Sequence, residues 1–315
     1  MNSSKNQRIL YIFDRLNKNK VIKISDLAQE FNVSKKSIQR DILNIKDFLS
    51  YTDTQVKYSY SSKGYYLEKN GILTDSQVYA LLKILLDSRA FNKDELEQII
   101  TSILGASSLN EYKKITQLIS NERVYFKQLE HGKNIINKIW DIANIVQSKD
   151  IININYKRAD NTVVKRTIAP VGILFSEYYF YVMAYFENIK FDSPTIFRID
   201  RIEKYEKVGR KNSIKYNERF EEGDFRKRIH FMYGGNLINV EFEFYGKDID
   251  SIQDRIPTAT YEKVDDKYII NANVYEDGIV KWILSQGKLI KVTKPDSLIR
   301  KIKNELNEIN KFYCK

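Results

Sequence analysis

At 315 residues, 43% of them hydrophobic, the chain is long enough for two or three globular domains, each with its own core. Its net charge of +11, from 52 basic against 41 acidic residues, favours a polyanionic partner, and residues 1–70 carry about +6 of that excess. No apolar run approaches the roughly 20 residues that span a bilayer, and a single cysteine, Cys314, excludes an internal disulfide and fits a reducing cytoplasm.

The N-terminal MNSSKNQRIL passes straight into an amphipathic helix (Ile9, Ile12, Phe13, Leu16) without a signal-peptide core. Two short helices joined by a tight turn then occupy Ile24 to Leu49. Ser25 is placed to N-cap the first, whose Leu27, Ala28 and Phe31 share a face. Asn32-Val33 makes the turn, and Ser34 caps the second helix. There Ile38, Ile42, Ile45 and Leu49 fall at i, i+4, i+7 and i+11, a single apolar stripe, while Lys36, Ser37 and Arg40 point away from it. A buried back and a basic front describe a helix-turn-helix whose second helix enters a DNA major groove. The alternative for this segment is a plain helical hairpin with a solvated charged face.

Two alternating segments, Gln55–Tyr60 and Tyr65–Leu67, flank the turn Ser61-Ser62-Lys63-Gly64 and predict a β-hairpin. Directly after a recognition helix such a hairpin is a wing, whose Lys57 and Lys63 are placed to hold phosphate; an edge hairpin with ordinary surface lysines is the alternative. Residues 1–70 are therefore expected to form a winged helix-turn-helix. Residues 72–149 read as helical throughout. Thr74 caps a helix through about Ala90, Asn92 caps another, a third covers Leu109–Ser120, and a longer one covers Lys133–Lys149. The expected role of 71–149 is a helical linker or dimerisation platform.

At Ile151 the period changes. Ile152–Tyr156 alternates strictly, and Val163–Ile168, Val171–Phe175, Tyr179–Phe186, Thr195–Ile199 and Ile202–Val208 follow at strand-like intervals. Short strands so spaced predict a small β-barrel or sandwich over 150–210. Residues 211–236 are a charged connection. Residues 237–315 then read as strand Leu237–Tyr245, helix Lys247–Arg255, strands Thr258–Glu262 and Tyr268–Val274, helix Gly278–Leu284, strand Leu289–Val292 and helix Ser297–Lys311, a small α/β sandwich within an α+β multidomain chain.

Four segments carry a family resemblance. They are Val33–Ile42 in the recognition helix; Asn155-Tyr156-Lys157-Arg158 through Lys165-Arg166-Thr167-Ile168-Ala169-Pro170; Tyr179–Tyr185 followed by Phe197-Arg198-Ile199-Asp200-Arg201-Ile202; and Trp282–Gly287 with Val292–Pro295 and Leu298. In that order they resemble the bacterial WYL-domain transcriptional regulators over nearly the whole chain. The resemblance implies a winged helix-turn-helix, a helical linker, an Sm-like (SH3-like) β-barrel WYL domain and a C-terminal ferredoxin-like domain called WCX. Where the family reads Trp-Tyr-Leu, this chain has Phe180-Tyr181-Val182, keeping an aromatic, the middle tyrosine and an apolar residue.

The strand ends of 150–210 gather Tyr156, Lys157, Arg158, Lys165, Arg166, Tyr181, Arg198 and Arg201. Guanidinium groups fork onto phosphate oxygens and aromatic faces stack on bases, so such a set suits a nucleotide. The resemblance implies that this domain senses nucleotides or short single-stranded nucleic acid at a basic pocket. Carried over, Arg198 and Arg201 come first, then Tyr156, Tyr181 and Arg166, with Lys157 beside them. Asp200 lies between the two arginines, so one of them has an internal partner at hand, and the tyrosines equally suit a core.

Two readings of function follow. In the first, a homodimer binds double-stranded operator DNA through 34–49: Lys36, Ser37, Gln39 and Arg40 face the groove, Arg suiting guanine and Gln adenine, and Lys35, Lys57 and Lys63 hold phosphate. In the second, a nucleic-acid-processing enzyme uses clustered carboxylates, for which Asp248 with Asp250 and Asp265 with Asp266 are the close pairs of the C-terminal half. Catalysis has little support: there are two histidines, His131 and His230, and no metal motif or phosphate loop, so neither a metal nor another cofactor is expected. His230 is expected to make a local hydrogen bond, Gly234-Gly235 to form a turn, and Cys314 to be inert.

Overall fold

The computed structural model describes residues 4–18, 21–50, 54–60, 62–69, 73–105, 109–187, 193–212 and 220–313; Ser61 and Cys314 lie outside them. It is an α+β protein with several antiparallel sheets, and it divides into two compact units, 1–132 and 133–315. No helix among the described residues is long and apolar enough to cross a membrane.

The first unit opens with α1 (Lys5–Asn17), where Ser4 and Gln7 form a reciprocal capping box. Next come α2 (Ile24–Glu30) and α3 (Lys35–Leu49). Their turn is a Schellman motif: Asn32 sits at φ +52, Asn32 N donates to Gln29 O, and Val33 N donates to Ala28 O. Ser25 does not cap α2. Lys23 holds the N-cap position without a side-chain bond, and the Ser25 hydroxyl donates to Asp26 instead. Ser34 caps α3 as its sequence position suggests, its Oγ accepting from Ser37 N at 3.2 Å. Ile38, Ile42, Ile45 and Leu49 are all buried against Ile12 and Leu16 of α1.

The hairpin is β1 (Thr54–Ser59) with β2 (Gly64–Lys69), in register from Thr54↔Lys69 to Ser59↔Gly64. Ile22 joins it through two 2.8 Å backbone bonds with Tyr65, which ties the wing to the segment between α1 and α2. A Cβ at Gly64 would meet Ile22 O at 2.7 Å, so glycine is what lets this third segment approach.

Three helices, α4 (Asp75–Ser88), α5 (Lys93–Leu104) and α6 (Leu109–Leu118), bury a separate core that includes Val78, Leu82, Ile100 and Ile115, and the short α7 (Ser120–Val124) follows with no buried residue. Thr74 and Asn92 cap α4 and α5. α4 stops at Ser88 because Arg89 adopts a left-handed conformation, two residues before the expected end. The expectation of helix throughout fails between Tyr125 and Ile135, which are not helical. The last helix is α8 (Ile136–Ser148), and its Ile142 and Ile145 belong to the core of the following sheet. α8 is thus part of the second unit, and the stretch 71–149 is not one linker.

That sheet runs β6-β5-β4-β3-β7, from β3 (Asp150–Lys157), β4 (Val163–Ser176), β5 (Tyr179–Phe186), β6 (Thr195–Arg198) and β7 (Ile202–Lys211). The two strands expected around Pro170 are one. The register slips between Pro170 and Gly172, a bulge that absorbs the proline's missing donor. β6 and β7 lie at opposite ends of the strand order, roughly 19 Å apart in a flat sheet. Yet only the 3-10 turn Ile199–Arg201 joins them, a reach of at most about 14 Å. The sheet therefore curls on itself.

The expected connection contains a helix, α9 (Glu222–Arg228). Glu222 accepts a 2.7 Å bond from Ile173 N beside the bulge, and a Cβ at Gly172 would lie 2.5 Å from the same carboxylate oxygen. A charged stretch thus docks because one carboxylate satisfies a sheet N–H freed by the bulge. The last part has β8 (Leu237–Phe244), α10 (Asp250–Arg255), β9 (Thr260–Val264), β10 (Lys267–Tyr275), α11 (Glu276–Ser285), β11 (Ile290–Lys294) and α12 (Asp296–Tyr313). Its antiparallel sheet has the order β11-β8-β10-β9, and Phe242, Ile270, Val274, Ile279, Trp282 and Leu298 share its core.

Candidate nucleic-acid interface and effector site

The outer face of α3 is built by elimination. Its inner stripe is buried, and Asp41 on the same side receives Arg8 Nε of α1 at 2.5 Å, an internal ion pair that pins the helix from beneath. This pair was not read from the sequence; an aspartate inside a basic helix next to an apolar stripe was the available signal. Lys35, Lys36, Gln39 and Arg40 are exposed and make no side-chain hydrogen bond or ion pair among the described residues. Ser34 and Ser37 are different. Their hydroxyls lie 3.0 Å apart and Ser34 is engaged in capping, so both have structural work at the helix entrance. Lys57 and Lys63 are exposed on the hairpin, Lys63 at φ +48 in its turn.

In the curled sheet the candidate residues separate into groups. Tyr181 of β5 stands opposite Arg198 of β6. The Arg198 guanidinium makes two bonds to Asp200, at 3.0 and 2.8 Å, and lies 3.4 Å from the centroid of the Tyr179 ring. Arg198 is therefore already paired and stacked. Tyr156 packs edge-on against Phe197 at 5.1 Å, and its hydroxyl accepts from Arg198 N at 3.3 Å, the arrangement of a satisfied core tyrosine. Burial pushes the Tyr181 hydroxyl up to about 12, so it stays a neutral donor. Arg201 ends the 3-10 turn half-buried, with no side-chain partner among the described residues.

Arg166 and Lys157 sit on other strands. Arg166 stands opposite Ile154, and its guanidinium donates to Lys165 O at 3.0 Å. Across β4, β3 and β7 the register aligns Lys165, Asn155 and Lys204 in one row, with Lys157 two residues along the same face as Asn155. Lys165, Asn155 and Lys204 line a groove of about 640 Å³ together with Arg166, Thr167 and Glu206, and Lys157 is not among its lining residues. Asn155 and Lys204 were not singled out from sequence, because strand order and register decide which polar residues become neighbours. Tyr179 was also missed as a partner of Arg198, although its i, i+2 spacing from Tyr181 places both on one face.

The other chemistry has local explanations. His230 is 3% exposed; the Arg228 and Arg255 backbone faces its ring, as a local bond was expected to, but neither ring nitrogen meets full hydrogen-bond geometry among the described residues. Burial, then the charge of Arg255, pushes it down to about 4. Gly234-Gly235 follows a tight turn, His230–Tyr233, in which Phe231 and Met232 both have positive φ. Asp248 caps the start of α10 by accepting from Ser251 N, and Asp265 sits in the β9–β10 turn at φ +53. Among the described residues no group of three or more His, Cys, Asp or Glu is placed to hold a metal ion.

Comparison with known proteins matches residues 8–65 to an HTH domain and residues 138–207 to the WYL domain, the second match beginning inside α8. Among solved structures, proteasome accessory factor B/C (PafBC) of Arthrobacter aurescens is similar at 15% identity and a TM-score of 0.32, over 96% of this chain and 48% of that one. The chain thus spans about half the length of PafBC. A protein described as CRISPR Cas-related is similar at 13% identity and a TM-score of 0.39, over 98% of this chain and 83% of that one. No curated protein matches. The chain thus carries an HTH domain near its start and, over 138–207, a WYL domain.

Proposed function

We propose that this chain is an effector-responsive transcriptional regulator that acts in the cytoplasm as a homodimer on operator DNA. α3 enters the major groove, with Lys36, Gln39 and Arg40 toward the bases, while Lys35, Lys57 and Lys63 hold phosphate. Ser34 and Ser37 set the helix entrance, close enough to the backbone to touch phosphate as well. The carrying observation is the outer face of α3, exposed and cationic opposite a fully buried stripe, with a hairpin directly after it. Two copies are needed because half-sites one helical turn apart require two recognition helices.

The second unit is the sensor in this reading, beginning at α8. Its curled five-stranded sheet suits the Sm-like barrel of the WYL family. The β-α-β-β-α-β order with strands β11-β8-β10-β9 suits the ferredoxin-like WCX domain. The effector is a nucleotide or short single-stranded nucleic acid. Arg201, with no internal partner among the described residues, is its leading contact; Arg166 and Lys157, whose side chains alternate across the sheet, are alternative second contacts. Tyr181, Tyr156 and Arg198, which neighbour one another, support the Arg201 end of the site in this reading.

The test is selection of duplexes from a randomised pool by the full-length chain, followed by titration of the winners. Enrichment of a two-fold-symmetric site, bound with a steep salt dependence, is expected. Failure to enrich any duplex sinks the reading.

A further inference from the structure

The solvent face of α3 carries an apolar residue that ion-pair and phosphate chemistry do not explain. Leu43 lies at i+7 from Lys36, i+4 from Gln39 and i+3 from Arg40, so the four share one helix face. It is 55% exposed and stands opposite the buried row of Ile38, Ile42 and Ile45. Its surroundings on that face are hydrophilic, with Gln39 and Arg40 one turn before it, Lys36 two turns before it and Asp47 one turn after. Phe48, the other exposed apolar residue of α3, packs edge-on against Phe13 at 6.1 Å and so has a partner within the head.

We infer that Leu43 reads the 5-methyl group of a thymine, which makes it a specificity-determining residue of the recognition helix. The inference rests on the proposed duplex binding and goes beyond it by naming a base. Three considerations lead there. The occupant is polyanionic in the proposed reading, and Lys36 and Arg40 precede Leu43 on the same face. It must also offer a small apolar group within that polar frame, and in a major groove the thymine methyl is that group. Finally, Leu43 lies about 4.5 Å further along the helix axis than Arg40. Residues one turn apart on the same face of a recognition helix address the same short run of base pairs.

The experiment removes the methyl group from the DNA rather than the side chain from the protein. Duplexes selected from a randomised pool by the full-length chain are resynthesised with deoxyuridine at each thymine in turn, and binding is followed by fluorescence anisotropy. At one thymine per half-site the substitution should weaken binding about fourfold, the worth of one buried methyl group. Leu43→Ala, which melts at the parent temperature because the residue is exposed, should lose that discrimination while still binding the duplex. If no thymine is sensitive to loss of its methyl, or if the sensitivity persists in Leu43→Ala, the assignment is overturned while the duplex reading stands. A chain that enriches no duplex overturns both.

Discussion

At the scale of single residues, freedom from internal partners separates the candidates. Arg40 has none among the described residues, whereas Arg198 is held by Asp200 and stacked on Tyr179. Arg40→Ala should therefore lower affinity for a selected duplex by about 1–3 kcal/mol per half-site and relax preference at one base pair in each. Lys63→Ala should weaken all duplexes alike and reduce the salt slope by about two, one for each copy in the proposed homodimer. Both are read from titrations at several salt concentrations; an unchanged footprint in Arg40→Ala would remove that residue from the groove. The sequence made both arginines of Phe197–Ile202 equally attractive. Only the fold reveals that Arg198 is engaged with Asp200, because a two-residue spacing permits the pair without requiring it. His230 is a second residue whose behaviour the sequence concealed. Its native pKa of about 4 lies below the ordinary 6.5, so the unfolded chain binds a proton that the folded chain refuses. The neutral ring costs nothing above pH 6.5, and stability is lost as pH falls from 6.5 toward 4, by about 3 kcal/mol in all. His230→Phe should flatten the unfolding free energy across that window, as measured by denaturant titration at each pH.

At the scale of elements, what was legible is what local periodicity encodes. The apolar stripe of α3, the Thr74 and Asn92 caps and the strand Tyr179–Phe186 could be read because each depends on residues within one or two turns of chain. Long-range partners were not legible. Pro170 looked like a strand boundary, yet the bulge and Glu222 of a distant helix let β4 continue through it. α8 looked like linker because its apolar period says that a face is buried without saying against what. The bridge of Ile22 to the wing was likewise hidden, since one isolated pair of backbone bonds leaves no pattern in the side chains. Its trace is Gly64. A Cβ there would lie 2.6 Å from Val21 Cγ1 and 2.7 Å from Ile22 O, and backbone cannot give way as a flexible side chain does. Gly64→Ala should destabilise the DNA-binding head by about 1–3 kcal/mol and displace the wing. Thermal unfolding of the full chain would register the first effect, and loss of the Lys63-dependent part of the salt slope the second. A parent-like melting curve would mean that the wing closes on Ile22 less tightly than the structure has it.

At the scale of the whole molecule, the proposal requires that a ligand of the second unit change what the first unit does. Structure alone does not make a switch; an effector shifts an equilibrium only by its difference in affinity for two states. That condition yields a strict test, because coupling between binding sites is reciprocal. If a short single-stranded oligodeoxynucleotide alters duplex affinity by some factor, saturating duplex must alter affinity for the oligonucleotide by the same factor. Couplings of this kind run to about 5–150-fold. The two titrations, each done with and without the other ligand, should agree within error. Arg201→Ala should weaken the oligonucleotide while leaving duplex affinity in its absence unchanged, since Arg201 lies on the sheet of the second unit and α3 on the first. Tight binding of both ligands with a coupling factor of one would leave a DNA-binding protein and a nucleic-acid-binding sheet on one chain, but no sensor. If instead the factor differs from one and Arg201→Ala abolishes it, the cationic end of the 3-10 turn is where the signal enters.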